Sequence, residues 1–171
     1  MSAPDASAPL AAIFTCAGTT LTDEERAFFR ETDPVGFILF DDNLESADQI
    51  RGLTGEMRAA VGRDDAPVLI DQEGGRVARL GPPTWREVPP ARRFGELAER
   101  DLEAGIAATR INARLIAAEL YDLGINVDCA PVLDLSIPGA HDVIGDRAFA
   151  GDPELVATLG RAFAEGLMAG G

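Results

Sequence analysis

The chain has 171 residues, of which 46% are hydrophobic and 26% charged, a balance typical of a folded globular protein rather than a disordered one. Its 29 acidic and 15 basic residues give a formal net charge of −14, which argues against nucleic acid or an anionic membrane as a partner. Every basic residue is arginine, so reactions of this chain that require a lysine, such as Schiff-base formation, are excluded.

The N-terminal segment, residues 1–9, has neither the basic start nor the apolar centre of a signal peptide, and we predict a short flexible tail. No apolar run approaches the ~20 residues that a membrane-spanning helix needs. The two cysteines, Cys16 and Cys129, each lie in an apolar segment, which predicts buried thiols rather than a disulfide framework or a zinc site. A reducing cytoplasm is the simplest compartment for such a chain.

The first half of the chain alternates apolar runs with helix-start signals. Residues 10–16 predict a buried strand, and Thr22 followed by Glu25 has the spacing of a capping box that starts a helix. Residues 36–40 (GFILF) form a continuous apolar run, as expected of a strand covered on both faces. Ser46 starts a second helix through the same capping pattern, and that helix has an apolar stripe.

The second half repeats the alternation, with one long exception. Residues 68–70 predict the third strand, and residues 102–123 predict a helix with two apolar stripes. Between them, residues 72–100 are predicted to be irregular, a length that is uncommon unless the segment is functional or disordered. Residues 125–132 predict the fourth strand, and the Asp-Pro pair at residues 152–153 starts the last helix.

Four strand–helix units predict an α/β fold with a parallel sheet. Two architectures fit: a doubly wound sheet of flavodoxin type, complete at this length, and the first half of a TIM-type (β/α)8 barrel, whose full form takes ~250 residues. The glycine pair at residues 170–171 favours the barrel, because such a pair after a helix usually leads onward into another strand. The pattern alone does not choose between the two architectures, but this ending favours residues 10–171 as the N-terminal half of a barrel domain, interrupted at its end.

In either architecture the binding site lies at the carboxyl ends of the strands, so polar residues that follow each strand are candidates. They are residues 41–43 after the second strand, residues 71–79 after the third, and Asp134 with residues 144–147 after the fourth. In residues 71–79 (DQEGGRVAR) an acid at the strand end and two arginines flank a glycine pair, which permits backbone conformations closed to other residues. Fixed carboxylate and guanidinium groups suit a hydroxyl-rich ligand such as a sugar.

Each of these residues also has an ordinary structural interpretation. Asp71 can cap the turn that follows it, and Arg76 and Arg79 can form surface salt bridges. The one histidine, His141, has no second His or Cys at ligand spacing. We therefore interpret it as a loop residue and predict neither a zinc site nor a Ser-His-Asp triad.

Residues 71–79 closely resemble the signature of bacterial β-N-acetylhexosaminidases of glycoside hydrolase family 3. The resemblance extends in order along residues 10–171, and the DQEGG sequence separates the chain from the β-glucosidases of the family, which differ at this strand. The other matching segments are residues 36–43, 130–134, 144–149 and 152–153.

The resemblance implies a (β/α)8 barrel that hydrolyses terminal β-N-acetylglucosamine with retention, as in peptidoglycan recycling, with no metal and no organic cofactor. It implies that Asp71 accepts hydrogen bonds from hydroxyls of the N-acetylglucosamine, and that Arg79 and Arg147 donate to the same ring. We expect Asp134 to orient Arg147 or a neighbouring residue.

The resemblance also implies a catalytic machinery that these residues do not contain. In the family, the next strand leads to a Lys-His-x-Pro-Gly-His loop with the acid/base pair, and a later strand carries the aspartate nucleophile. The 171 residues hold no such loop and no lysine, so we expect this chain to bind an N-acetylglucosamine-containing saccharide without a catalytic residue of its own.

Two alternatives stay open at this point. One is a non-catalytic half-barrel that binds sugar, self-associates or assembles with a missing C-terminal half, because a half-barrel exposes two sheet edges. The other is a flavodoxin-like domain with a phosphate-bearing ligand, for which residues 17–20 are a weak candidate loop.

Overall fold

The computed structural model describes residues 8–139 and 141–170 of the chain. The predicted flexible tail, residues 1–9, lies outside the described residues except for its last two positions. Within the described part of the chain, no helix combines the length and the apolar character needed to cross a membrane.

Parallel strands alternate with helices, and a short antiparallel hairpin follows the third strand. The elements in chain order are β1 (Leu10–Phe14), α1 (Asp23–Thr32), β2 (Pro34–Leu39), α2 (Ala47–Val61), β3 (Val68–Ile70), β4 (Gln72–Gly74), β5 (Val77–Ala78), α3 (Ala91–Ala98), α4 (Leu102–Asp122), β6 (Val127–Asp128) and α5 (Pro153–Met168).

The parallel strands lie in the order β1-β2-β3-β6, which is also their order along the chain. Phe37 of β2 pairs with Val68 of β3, and Leu69 of β3 pairs with Val127 of β6. Each strand–helix unit therefore adds its strand to the same edge, as in a (β/α)8 barrel, whereas a flavodoxin-type sheet places its first strand between the second and third. The predicted parallel barrel-type unit is confirmed, and the flavodoxin-type alternative is wrong.

One face of this sheet is covered by helices and the other is open. Phe37, Leu39 and Ile70 are fully buried in a core shared with α2 and α4. Ile38 and Leu69 alternate with them, face the opposite side and are only partly buried. The continuous apolar run in β2 predicts burial on both faces, but within the described residues only one face is covered.

The predicted helix starts are confirmed. The Thr22 side chain accepts the N–H of Glu25, and the Glu25 carboxylate accepts the N–H of Thr22 in return, a complete capping box for α1. Ser46 caps α2, but its box is half formed, because the Gln49 side chain binds the N–H of the residue before Ser46. Asp152 caps α5 as predicted.

Helix α4 buries only one of its two predicted apolar stripes. Ile116 and Leu120 lie in the core, together with Leu123 just beyond the helix. Ile111 and Leu115 are 60% and 49% exposed. A broad apolar surface on this helix is therefore open to solvent in the chain.

Residues 72–100, predicted to be irregular, contain the β4–β5 hairpin and helix α3. The hairpin strands are too short to show an alternating pattern, and α3 starts after Pro90 without a side-chain cap. Gly95 in α3 brings this helix against the chain that follows Arg147: a Cβ at Gly95 would lie 1.8 Å from the Phe149 carbonyl oxygen. The close approach fixes the end of the loop that carries Arg147.

The predicted fourth strand, residues 125–132, is wrong in length, since β6 holds only two residues. Its neighbour β3 leaves the sheet after Ile70, and the Asp128 carboxylate then accepts the Gln72 N–H at 3.0 Å. The Asp128 side chain thus takes the place of a further backbone hydrogen bond between β6 and the segment that follows β3. The first strand also ends early, at Phe14.

Candidate functional site

The carboxyl ends of the parallel strands bring several charged segments to one edge of the sheet. Asp41 starts a short 3₁₀ turn after β2, Asp71 directly follows β3, and Asp128 ends β6. The β4–β5 hairpin starts at this edge and contacts the loop of residues 142–147. Polar groups therefore collect where a parallel α/β sheet places its binding site.

Asp71 and Arg79, both predicted to bind the ligand, form an ion pair. Arg79 Nη2 donates to Asp71 Oδ2 at 2.8 Å, and Arg79 Nη1 donates to Asp41 Oδ2 at 3.2 Å. The guanidinium carbon lies 5.7 Å from the centre of the Phe40 ring, within the range of a cation–π contact. The hydrogen bond to Asp71 raises the pKa of Arg79. Asp71, Asp41 and the Phe40 ring together hold this guanidinium in place.

Arg147, the third predicted ligand-binding residue, is held by Glu73. Arg147 Nε donates to Glu73 Oε2 at 2.8 Å, and Nη2 donates to Oε1 at 2.7 Å. The sequence pattern did not assign Glu73 a role in binding, although the spacing offers a signal. Glu73 is two residues after Asp71, and alternate residues of an extended segment share a side. The structure thus brings two carboxylate–guanidinium pairs to the same edge.

Arg76 links the β4–β5 hairpin to the loop that carries Arg147 through ion pairs and hydrogen bonds. Its guanidinium pairs with Asp146 at 3.0 Å and with Asp142 at 3.6 Å. Its Nη2 also donates to three successive backbone carbonyls, those of Asp142, Val143 and Ile144, at 2.6, 3.2 and 3.0 Å. Arg76 therefore forms surface salt bridges, as its structural interpretation predicts, and also binds the backbone of this loop.

The glycine pair in the hairpin is required by the backbone. Gly74 and Gly75 have φ angles of 103° and 58°, which disfavour residues with a side chain. A Cβ at Gly74 would also lie 2.4 Å from the Pro89 carbonyl oxygen. The prediction that these glycines permit an unusual backbone is confirmed, and the tight turn places Glu73 and Arg76 on the hairpin beside the loop.

The Gln72 side chain fixes the returning strand of the hairpin from inside the protein. Gln72 is 1% exposed, and its Oε1 accepts the N–H groups of Arg79 and Leu80 at 2.9 and 3.0 Å. Its Nε2 donates to the Leu80 carbonyl at 2.8 Å. Asp71 and Glu73 therefore lie at the site, while the Gln72 side chain between them is buried in the protein.

Two titratable groups at the end of β6 face the same cluster of carboxylates. Burial, with the charges of Glu73 and Asp71, raises the pKa of Asp128 to about 7. Burial and the neighbouring Asp71 raise the pKa of Cys129 to about 11. Cys129 is exposed, so the prediction of a buried thiol is wrong here, while Cys16 is buried as predicted.

In the described residues, no group of three or more His, Cys, Asp and Glu could hold a metal ion.

Asp134, expected to orient Arg147, is exposed and makes no hydrogen bond with it in the described part of the chain. The groups that accept from Arg147 are the Glu73 carboxylate and the Val143 carbonyl. The Glu73 hydrogen bond raises the pKa of Arg147, and the charge of Asp134 adds to this effect. His141 accepts the N–H of Val143 at 3.0 Å and is a loop residue, as predicted.

Comparison with known proteins identifies the family of the chain. The family model described as "Glycosyl hydrolase family 3 N terminal domain" matches residues 10–171. A β-hexosaminidase of Xanthomonas axonopodis pv. citri (strain 306) is 40% identical over 157 residues, which cover 91% of this chain and 45% of that protein. A β-hexosaminidase of Methylococcus capsulatus is 42% identical over 159 residues, 93% of this chain and 46% of that protein. The chain therefore spans about half the length of these relatives.

Solved structures show the same fold. NagZ from Neisseria gonorrhoeae in complex with N-trifluoroacetyl-D-glucosamine superposes with a TM-score of 0.89 at 33% identity, covering 95% of this chain and 47% of that one. A glycoside hydrolase family 3 β-N-acetylglucosaminidase from Paenibacillus sp. str. FPU-7 gives a TM-score of 0.81 at 32% identity, with 92% and 29% covered. The chain belongs to glycosyl hydrolase family 3, and its residues 10–171 correspond to the N-terminal domain of that family.

Proposed function

We propose that this chain provides sugar-binding residues of a β-N-acetylhexosaminidase that removes terminal β-N-acetylglucosamine with retention of configuration. The observation that supports this most directly is the Asp71–Arg79 ion pair at the carboxyl edge of the sheet, next to the Glu73–Arg147 pair. The Neisseria gonorrhoeae relative, described in complex with an N-acetylglucosamine analogue, supports the same ligand class. Cell-wall saccharides as substrates and the cytoplasm as compartment belong to the same proposal.

The two ion pairs offer a sugar both kinds of hydrogen-bonding partner. Asp71 has a carboxylate that can accept from hydroxyls, and its side chain is 25% exposed. Arg79 and Arg147 are 26% and 24% exposed and keep N–H groups beyond those used by their carboxylate partners. Because each charged group is held by a partner before the ligand arrives, little side-chain entropy is lost on binding.

Retaining hydrolysis needs a nucleophile and an acid/base group on opposite sides of the scissile bond. The family resemblance assigns the nucleophile to an aspartate on a later strand and the acid/base group to a Lys-His-x-Pro-Gly-His loop. These 171 residues contain neither that strand nor that loop. The role proposed for this chain is therefore substrate binding, and turnover by the isolated chain is not expected.

The proposal is tested by measuring binding and turnover separately on the purified chain. We expect saturable binding of N-acetyl-D-glucosamine in an NMR titration and no release from a chromogenic β-N-acetylglucosaminide above buffer. Asp71→Asn should weaken binding by about tenfold, the scale of a charge-assisted hydrogen bond. Asp48→Asn, at a side chain that is 97% exposed, is the matched control.

Two results would overturn parts of this proposal. Absence of binding by the wild-type chain would remove the sugar-binding role. Clear release that Asp71→Ala abolishes, and that a mock purification lacks, would place the nucleophile and the acid within these residues.

A second candidate function is assembly with another chain through the open sheet. Within the described residues, β1 and β6 each pair on one side only, which leaves two open edges. Leu10 and Ile13 on β1 are 46% and 45% exposed. Sedimentation of the purified chain tests this candidate: a monomer at micromolar concentration would contradict self-association.

A further inference from the structure

The contact between Glu73 and Arg147 has the geometry of a fixed support. Both carboxylate oxygens accept from the guanidinium, at 2.8 and 2.7 Å, so the pair is bidentate and has a defined orientation. The Glu73 side chain is only 10% exposed, less than any other residue in a described ion pair. The two residues are 74 positions apart, so the contact joins the segment after β3 to the loop after β6.

Counting donors shows what this contact leaves for a ligand. A guanidinium has five N–H bonds, one on Nε and two on each terminal nitrogen. In Arg147, Glu73 takes the Nε–H and one Nη2–H, and the Val143 carbonyl takes one Nη1–H at 3.2 Å. One N–H remains on each terminal nitrogen, and Glu73 determines where these two point.

The same contact argues against a chemical role for Glu73 itself. Each of its oxygens accepts a hydrogen bond from Arg147, and only 10% of the side chain is exposed, so little of the carboxylate is open to a substrate. Other carboxylates lie close enough to influence Arg147, among them Asp134 and Asp71. Without Glu73, the arginine would be drawn toward these charges and lose its defined orientation.

We propose that Glu73 is the positioning residue that aims the two free N–H groups of Arg147 at the bound sugar. This inference rests on the proposed sugar-binding function and adds a residue that the sequence pattern did not mark. Glu73 acts through Arg147 and makes no contact with the ligand, so its effect should vanish when Arg147 is absent.

A double-mutant cycle measures this dependence. The probe is N-trifluoroacetyl-D-glucosamine, whose fluorine signal reports binding to the full chain by ¹⁹F NMR. We expect Glu73→Ala and Arg147→Met each to raise the dissociation constant about tenfold. The double variant should bind no more weakly than Arg147→Met alone. Glu73→Gln, which keeps one acceptor oxygen, should restore part of the affinity lost in Glu73→Ala.

Stability controls separate positioning from a general structural effect. Glu119→Ala removes the carboxylate of another partly buried ion pair, in which Arg86 Nε and Glu119 Oε1 of α4 are 2.9 Å apart. It should lower the melting temperature without changing the dissociation constant. Equal losses of affinity in Glu119→Ala and Glu73→Ala would overturn the proposal, as would effects of Glu73→Ala and Arg147→Met that multiply to about a hundredfold.

The Arg147 Nε–H resonance keeps the inference distinguishable from the sugar-binding function. In the wild-type chain, a hydrogen-bonded Nε–H should give a distinct signal protected from solvent exchange, and Glu73→Ala should remove it. An unchanged signal in Glu73→Ala would show that Glu73 does not position Arg147. A wild-type chain that shows the signal but binds no sugar would overturn the sugar-binding function, and with it the role of this positioning in recognition.

Discussion

The side-chain carbonyl of Gln72 accepts the backbone N–H of Arg79 at 2.9 Å, so a fully buried amide fixes the backbone of the arginine that reaches Asp71. The same amide makes two more hydrogen bonds, both with Leu80. The geometry of the Asp71–Arg79 pair therefore depends on an internal residue that no ligand touches.

Replacing Gln72 by methionine should destabilise the chain strongly. The change leaves two backbone N–H groups and one carbonyl without partners in the interior, and each buried unsatisfied group costs roughly 1–3 kcal/mol. Urea unfolding should show a loss of at least about 3 kcal/mol. Gln49→Met is the matched control, because the Gln49 side chain also makes three hydrogen bonds but is partly exposed, so water can replace them. Equal losses in the two variants would contradict this reasoning.

The sequence predicts the parts of the fold that local rules determine. The capping box at Thr22 and the apolar runs at residues 36–40 and 68–70 are confirmed because caps and strand patterns depend on neighbouring residues. The segment 125–132 is apolar enough to predict a long strand, yet β6 is short because its neighbour β3 ends at Ile70. Strand length depends on a partner elsewhere in the chain, which one sequence does not show.

In the candidate site, too, contacts between residues close in sequence could be predicted, whereas contacts between distant residues could not. Asp71 and Arg79 are eight residues apart in one motif, and the structure pairs them. Glu73 and Arg147 pair across 74 residues, so spacing alone could mark Glu73 as a side chain on the same side as Asp71 but could not name its partner. The hydrogen bonds do not support the expectation that Asp134 orients Arg147, because the guanidinium donates to the Glu73 carboxylate and the Val143 carbonyl instead.

Gly95 in α3 should not tolerate a side chain. A Cβ there would lie 1.8 Å from the Phe149 carbonyl oxygen, so Gly95→Ala must push the helix away from the loop that carries Arg147. We expect a loss of about 1–3 kcal/mol in the free energy of unfolding, as for an overpacked core. Gly52→Ala in α2, where a Cβ meets open space, should instead stabilise the chain by up to about 1 kcal/mol. Denaturant unfolding of both variants provides the comparison, and a stabilising Gly95→Ala would refute it.

Asp128 should make the chain less stable as the pH rises toward neutrality. Burial raises its pKa from 3.8 to about 7, so the folded state binds a proton that the unfolded state has already lost. This stability is fully present below about pH 4 and is lost as the pH rises through about 7. The loss amounts to a few kcal/mol, because one pKa unit corresponds to about 1.4 kcal/mol.

Asp128→Asn isolates this contribution. An asparagine keeps the oxygen that accepts the Gln72 N–H but cannot ionise. The unfolding free energy of the variant, relative to that of the wild type, should therefore increase between about pH 4 and pH 7. The unfolding free energy of Asp48→Asn, a change at an exposed position on α2, should vary with pH in the same way as that of the wild type. A constant difference between Asp128→Asn and wild type across this range would show that Asp128 ionises with an ordinary pKa.

Cys129 should react slowly with iodoacetamide although its side chain is exposed. Partial burial of the sulfur and the negative charge of Asp71 raise its pKa to about 11, and only the thiolate reacts. Asp71→Asn removes the charge, lowers the pKa and should speed alkylation severalfold at about pH 8, as measured by mass spectrometry of the Cys129 peptide. Asp42→Asn, a change at an exposed acid in the turn after β2, should leave the rate unchanged. Cys16 is buried and should stay unmodified in all three chains, so modification of Cys16 in Asp71→Asn would indicate unfolding rather than a shifted pKa.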